Sequence, residues 1–496
     1  MSQSEFTFSA VDIRQALIDL PDTSAWETLA PPKPAEIYIP QLHNKALLQD
    51  VSIVEGMRGA GKSFWTAVLA DDGTRKLVAG VARIQNLDKL IVKIGFGLSL
   101  ENQDFPTATR ISELMTNGAS ANDIWRSVLL RHALKALQKP LPFEDGVDAA
   151  ARWVCANRSL ADSQLTECDR ELVTNDKVLL LLFDSLDRLA SDWATIRKIL
   201  SAALQLGLEC RTRRAIRLKF FLRPDMVEED DETWRFADSS KLLHSKEELT
   251  WRSSDLFGLI LLHLANSSAV GAAFRQAITA QTKIEWREID GAFSLPPELM
   301  ADKSSPLRSI IEALAGEWVG TSAKRGFTFT WIPTHLSDAK GRMSPRSILL
   351  AFRRAAEWTR DQHSPNKTAL HYEGIQQGVV EASKIRISEI KEDYPWVGPL
   401  LKSLNGVTVP LTLSELKEKW TPSCVQASLD AAEDGKRLPP RRYSSDPNRR
   451  STIEALVDDL VELAVLYRTE DKRLNMPDIF RVGFGIKRRG GVKPPR

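Results

Sequence analysis

Between residue 51 and about residue 245 the chain alternates short apolar runs with stretches of helical periodicity. The runs are Val51 to Glu55, Leu90 to Ile94, Val178 to Phe183 and Leu218 to Leu222. Each is short enough for a strand, and Val178 to Phe183 holds no polar residue, as a strand buried on both faces requires. Strands that alternate with helices predict an α/β class with a parallel sheet. From 250 to about 365 the period becomes helical, with polar insertions around 280 to 305 and 320 to 335. The longest apolar stretch, Leu256 to Phe274, is interrupted by His263, Asn266, Ser267 and Ser268, so it predicts a buried helix and not a membrane span. Near the end, residues 452 to 486 predict a helix and then a strand, a turn and a second strand. "TLSELKEKW" at 412 to 420 predicts an earlier helix of the same region.

The first run leads into "GMRGAGKSFW", residues 56 to 65, with a helical stretch behind it. Gly56, four residues, then Gly61-Lys62-Ser63 is the P-loop spacing in the context that such a loop needs, a strand before and a helix after. Glycines let the backbone curl so that successive N–H groups face phosphate oxygens, and the helix N-terminus adds partial positive charge. Gly56, Met57, Arg58, Gly59, Ala60, Gly61, Lys62, Ser63 and Phe64 are therefore the expected cradle for ATP. Lys62 would reach the β- and γ-phosphates, and Ser63 would give its hydroxyl to Mg²⁺.

A magnesium-bearing P-loop needs a carboxylate on a neighbouring strand, because Mg²⁺ takes oxygen ligands. "KVLLLLFDSLDRLA", residues 177 to 190, supplies Asp184 at the C-terminal end of the most apolar run, where ligands bind in such sheets. Asp184 is the expected magnesium residue together with Ser63. The next position, where many hydrolysing ATPases of this type carry a glutamate that polarises the attacking water, is Ser185. Asp187 is read either as a replacement for that group or as a structural carboxylate paired with a cation. "LKFFLRPDM", residues 218 to 226, ends a strand on Arg223, read either as a γ-phosphate contact or as a partner of Asp225.

Composition narrows the picture without redirecting it. With 496 residues the chain has room for two to four domains. A net charge of +2 means that any affinity for nucleic acid must come from local patches. Cys155, Cys168, Cys210 and Cys424 show no paired or metal-ligand spacing and read as packing residues of a reducing cytoplasm. The first residues, Met1-Ser2-Gln3-Ser4-Glu5, do not form a secretory signal. No cysteine–histidine, metal-ligand or nuclease carboxylate cluster stands out.

"GMRGAGKS", "LLFDSLDRL" and "FFLRPDM", with "FADSSKL", "LTWRSSDLFGLILLHLAN" and "GRMSPRSILLAFRRAAEW", resemble bacterial P-loop ATPases related to the AAA+ origin-recognition class, with a kinship to STAND and KAP NTPases. The resemblance covers roughly residues 45 to 365. The amphipathic Val11 to Leu20 stretch and the proline-rich Pro31-Pro32-Lys33-Pro34 read as an N-terminal arm over 1–48, and the resemblance, with a weaker echo to the C-terminus, implies a P-loop ATPase core over 49–248, a helical lid over 249–365 and a C-terminal winged-helix-like domain with a basic tail over 366–496. It also implies a sensor role for Arg223, a lid sensor at Arg346 and an arginine finger at Arg235 that reaches a neighbouring subunit's ATP. Lys487, Arg488, Arg489, Lys493 and Arg496 form the basic tail, and the 436 to 450 loop adds positive charge.

These readings lead to one expectation with two alternatives. The leading one is a cytoplasmic ATP-binding, slowly hydrolysing switch that closes lid on core, self-assembles or docks a protein effector, and works in bacterial defence or DNA maintenance. The alternatives are a DNA-loading ATPase that holds double-stranded DNA with its winged helix, and a scaffold that binds nucleotide without turnover.

Overall fold

A computed structural model describes residues 6–21, 30–98, 104–228, 231–300, 306–434, 438–440, 442–443 and 453–488. The chain forms two compact units: Thr23–Thr250, and Met1–Asp22 together with Trp251–Arg496. The stretch expected as an N-terminal arm is thus shared between them.

The first unit is built on five strands, β1 (Ile53–Glu55), β2 (Leu90–Phe96), β3 (Val178–Phe183), β4 (Ile216–Leu222) and β5 (Glu247–Glu248), in the spatial order β2–β3–β4–β1–β5. All neighbours are parallel. This is the α/β architecture with a parallel sheet that the apolar runs imply. Four strands fall on the predicted runs; β5 does not, because two glutamates carry no apolar signal. It is an edge strand, and Lys45 pairs with Glu247 while Lys246 pairs with Glu55.

Leu179 to Phe183 are all fully buried, as a central parallel strand demands. The helices Ala121–Ala136 and Trp193–Cys210 contribute to the same core, in which Trp125 meets the Phe183 ring edge-on at 5.5 Å and donates its indole N–H to the Ile199 carbonyl. One polar side chain sits in the middle of β4. Lys219 is fully buried and donates to the carbonyls of Ala46, Leu48 and Val51 at 2.7, 2.9 and 2.6 Å, which fixes the chain entering β1. Burial pushes its pKa down to about 7, with Asp50 opposing.

In the second unit, helix Ser253–Ala265 is buried over nearly its whole surface, in keeping with its apolar sequence. The first polar insertion forms a hairpin of β6 (Arg287–Ile289) and β7 (Ala292–Ser294). Helix Pro345–Gln362 packs along helix Tyr372–Asp393, and helix Ala10–Ile18 lies against the former. Among the described residues no helix is long and apolar enough to cross a membrane.

The C-terminal part carries β8 (Thr408–Val409), helices Leu413–Lys419, Pro422–Asp434 and Ile453–Glu462, and a hairpin of β9 (Tyr467–Arg468) and β10 (Leu474–Asn475). Leu411 bridges to Leu474 on the hairpin's other side. The second strand is shorter than the sequence predicts. It stops at Asn475, because Pro477 leads into a helical turn, Asp478–Arg481, closed by a buried hydrogen bond from Arg481 Nε to Asp478 Oδ1 of 2.7 Å. Lys487 and Arg488 of the expected basic tail form β11 (Lys487–Arg488), which pairs with β8. Arg489, Lys493, Arg496 and most of the 436 to 450 loop lie outside the described residues.

Candidate nucleotide-binding site

The site forms where the parallel strands end. Gly56 follows β1 and donates its N–H to the carbonyl of Leu222, the last residue of β4, at 3.0 Å. Gly59 and Gly61 take positive φ values of 77° and 104°, and Gly61 directly precedes helix Lys62–Ala70, so the turn needs residues without a Cβ penalty. A Cβ at Gly56 would stand 3.2 Å from Lys62 Cγ, so a larger residue there would press on the lysine stem. The Lys62 ammonium donates to the carbonyls of Gly56 at 2.7 Å and Met57 at 3.1 Å, which folds the lysine back over its own loop. Met57, Ala60 and Phe64 are buried, with Phe64 edge-on to Trp65 at 5.5 Å; these three shape the loop from beneath. Arg58 is half-buried.

Asp184 ends β3 at 2% exposure, with its N–H bonded to the Phe96 carbonyl. Burial pushes its pKa up, against the opposing effects of a hydrogen bond with Ser63 and the charge of Lys62. The protein therefore buries a carboxylate whose charge its neighbours do not fully compensate. A hydroxyl and a carboxylate joined in this way form an oxygen donor pair of the kind Mg²⁺ prefers, beside a lysine suited to phosphate. The residues fit a magnesium nucleotide.

Ser185 adopts a left-handed conformation, φ 57°, with its hydroxyl 3.4 Å from Asp184 Oδ2. The turn brings Asp187 to Arg223, whose Nη1 lies 3.3 Å from Asp187 Oδ2. Arg223 also forks onto Asp225 at 3.0 and 3.1 Å. It is 9% exposed and so is no surface arginine. Burial raises the Asp187 pKa, but Arg223, Lys62 and Arg188 outweigh it and hold the carboxyl below the usual range. Because β4 lies between β1 and β3, Arg223 emerges between the strand that feeds the P-loop and the strand that carries Asp184.

Two further expected site residues have other partners. Arg235 is exposed and pairs with Glu232 at 3.3 Å. Arg346 belongs to the second unit, where it pairs with Glu389 at 2.8 Å. The sequence reading named Asp225 as a partner of Arg223 but not the second clasp from Asp187, which lies 36 residues away and leaves no spacing signal.

The chain matches no protein-family model, and no curated protein matches it. Among solved structures it is similar to the ORC2 protein of Aeropyrum pernix in its ADPNP–ADP complexes. The sequence identity is 14%, 91% of this chain and 92% of that chain are covered, and the TM-score is 0.28. That likeness is too weak to carry a role across, and it lends no support to a bacterial setting or to a STAND or KAP kinship.

Proposed function

We propose that this chain is an ATPase switch that binds Mg-ATP at Gly56 to Phe64, Ser63 and Asp184 and turns it over slowly. The observation that carries this reading is the convergence of the P-loop, Asp184 and the Asp187–Arg223–Asp225 clasp at the C-terminal ends of three neighbouring strands, with serine in the position after Asp184. ATP supplies a phosphoanhydride bond whose cleavage is favourable. Lys62 and the loop bind its phosphates, while Ser63 and Asp184 hold the metal. Asp187 is a carboxylate of lowered pKa tied to an arginine, which makes it a weak proton acceptor. Ser185 carries no charge. Turnover by the isolated protein is therefore near or below roughly 1 s⁻¹, the low end of enzyme rates. In this reading Arg223 senses the γ-phosphate, Arg346 is the lid sensor, and Arg235 reaches a neighbouring copy's nucleotide.

The partner in this reading is a protein and not a duplex. In a winged helix the helix before the hairpin is the one that would enter a groove. Here that helix, Ile453–Glu462, carries Glu454, Asp458, Asp459 and Glu462 and no lysine or arginine. Those carboxylates engage Lys417, Arg468 and Arg442, which withdraws the nearby cations from phosphate. The setting in bacterial defence or DNA maintenance rests on the sequence resemblance alone. Mass measurement with a slowly hydrolysed ATP analogue, with and without duplex DNA, tests the reading. Nucleotide-dependent assembly indifferent to DNA is expected, and tight, salt-sensitive duplex binding would replace the switch by the DNA-loading alternative. Fast hydrolysis by a monomer would reject slow turnover, and Asp187→Asn would then show whether Asp187 is the base.

A further inference from the structure

In the second unit, His363 follows helix Pro345–Gln362 and His371 caps helix Tyr372–Asp393. Their rings stack at 4.0 Å with an interplanar angle of 15°, and Trp358 and Tyr372 flank the stack. Glu373 Oε2 lies 3.3 Å from His363 Nε2, and its other oxygen accepts from the Tyr372 hydroxyl at 3.3 Å. One donor atom from each of His363, His371 and Glu373 falls within 4.8 Å of the others. From this geometry we infer a site for one divalent transition-metal ion, zinc by preference, held by His363, His371 and Glu373.

The donor chemistry suits the ion. Two imidazoles and a carboxylate are a three-ligand set that zinc uses when a position is left to solvent. The His363 and Glu373 side chains are 42% and 45% exposed, so an ion has a path in. Tetrahedral zinc at Zn–N distances of about 2.0–2.1 Å needs donors about 3.3 Å apart; the His363 and Glu373 atoms already stand 3.3 Å apart, and the full set, within 4.8 Å, closes on the ion by side-chain rotation. His371 Nδ1 accepts from the Glu373 N–H at 3.3 Å, a long bond for a helix cap.

The segment between the histidines is held rigid for reasons that its own sequence does not explain. Arg14, at 2% exposure, donates to the carbonyls of Ser364, Thr368 and Ala369 at 2.9, 3.2 and 2.9 Å. The hydroxyl of buried Thr359 accepts from His371 N–H at 3.0 Å, and the Thr359 carbonyl accepts from His363 N–H at 2.9 Å. One residue thus sets the backbone of both histidines. The two helices cross so closely that a Cβ on Gly378 would stand 2.2 Å from the Ala351 carbonyl oxygen, which leaves little freedom to spread. A rigid loop lowers the ordering cost of ligation, as preorganisation does for binding generally.

The test uses the full chain stripped with a chelator, then titrated with zinc chloride in excess Mg²⁺ so that the nucleotide site is not reported. One zinc per chain is expected, with a rise in thermal stability. His363→Gln and Glu373→Gln, each checked for folding by circular dichroism, should weaken zinc binding by about ten-fold or more, at least the loss seen for outer-shell partners. Cobalt substitution should give a spectrum without a thiolate charge-transfer band. No stoichiometric zinc, binding unchanged in both variants, or a thiolate band that moves the metal to the cysteines would each overturn the inference.

Discussion

The tip of β3 and the Asp478–Arg481 turn bury carboxylates in opposite ways. At the turn both partners are almost wholly enclosed. Arg481 spends Nε on Asp478 and Nη1 on the Ile486 carbonyl at 2.8 Å, while His335 lies 3.3 Å from the other Asp478 oxygen. At the strand tip Asp184 is buried with a hydroxyl and a more distant ammonium, and its pKa is pushed up. The first arrangement closes a charge pair within the fold. In the proposed function the second keeps negative charge in reserve for a cation, which is how a binding site would differ from a structural ion pair of equal burial.

Breaking the closed pair should have the largest effect. Arg481→Leu strands a buried carboxylate and is expected to cost about 3–5 kcal/mol in urea unfolding. At the strand tip, Lys62→Ala should leave the nucleotide-free protein nearly as stable as wild type. It should abolish the stabilisation that ATP gives, about 2.7 kcal/mol at a hundred-fold excess over Kd, as read from thermal shifts. Asp184→Asn sharpens the contrast through its sign. A carboxyl with a raised folded pKa favours the fold while it is protonated, below its unfolded value of about 3.9, and loses that contribution as pH rises through the folded value. The nucleotide-free variant should therefore melt a few degrees above wild type at neutral pH, with the gap closing toward acid, and Mg²⁺ should no longer tighten its nucleotide binding. The smallest effect belongs to Arg235→Ala, within about 0.5 kcal/mol in stability because the side chain is exposed. Its mark should be a specific activity that no longer rises with protein concentration.

What was legible in the sequence was what lies close together along the chain. The P-loop is contiguous, and Val178 to Phe183 announces a doubly buried strand through its lack of polar residues. Lys219 was visible inside an apolar run, but not its task, because its three carbonyl acceptors lie about 170 residues away. The Asp187–Arg223 contact joins two loops that only the parallel sheet brings side by side. The apolar pattern from Leu474 to Ile486 reads as a strand, yet Pro477 and the Asp478–Arg481 pair turn it into a helical turn. The His363, His371 and Glu373 cluster escaped notice because its spacing matches no short metal motif and depends on two helices packing.

Arg14 has a consequence for the order in which the protein is made. Its acceptors reach as far as Ala369, 355 residues later in the chain, and the whole Thr23–Thr250 unit is synthesised between them. At translation rates of about 5–20 residues per second, the arginine leaves the peptidyl-transferase centre roughly 18–70 s before the loop it will clasp. The Thr23–Thr250 unit thus has time to fold before the clasp forms, and the loop between the two histidines takes its final shape only after that unit has been made.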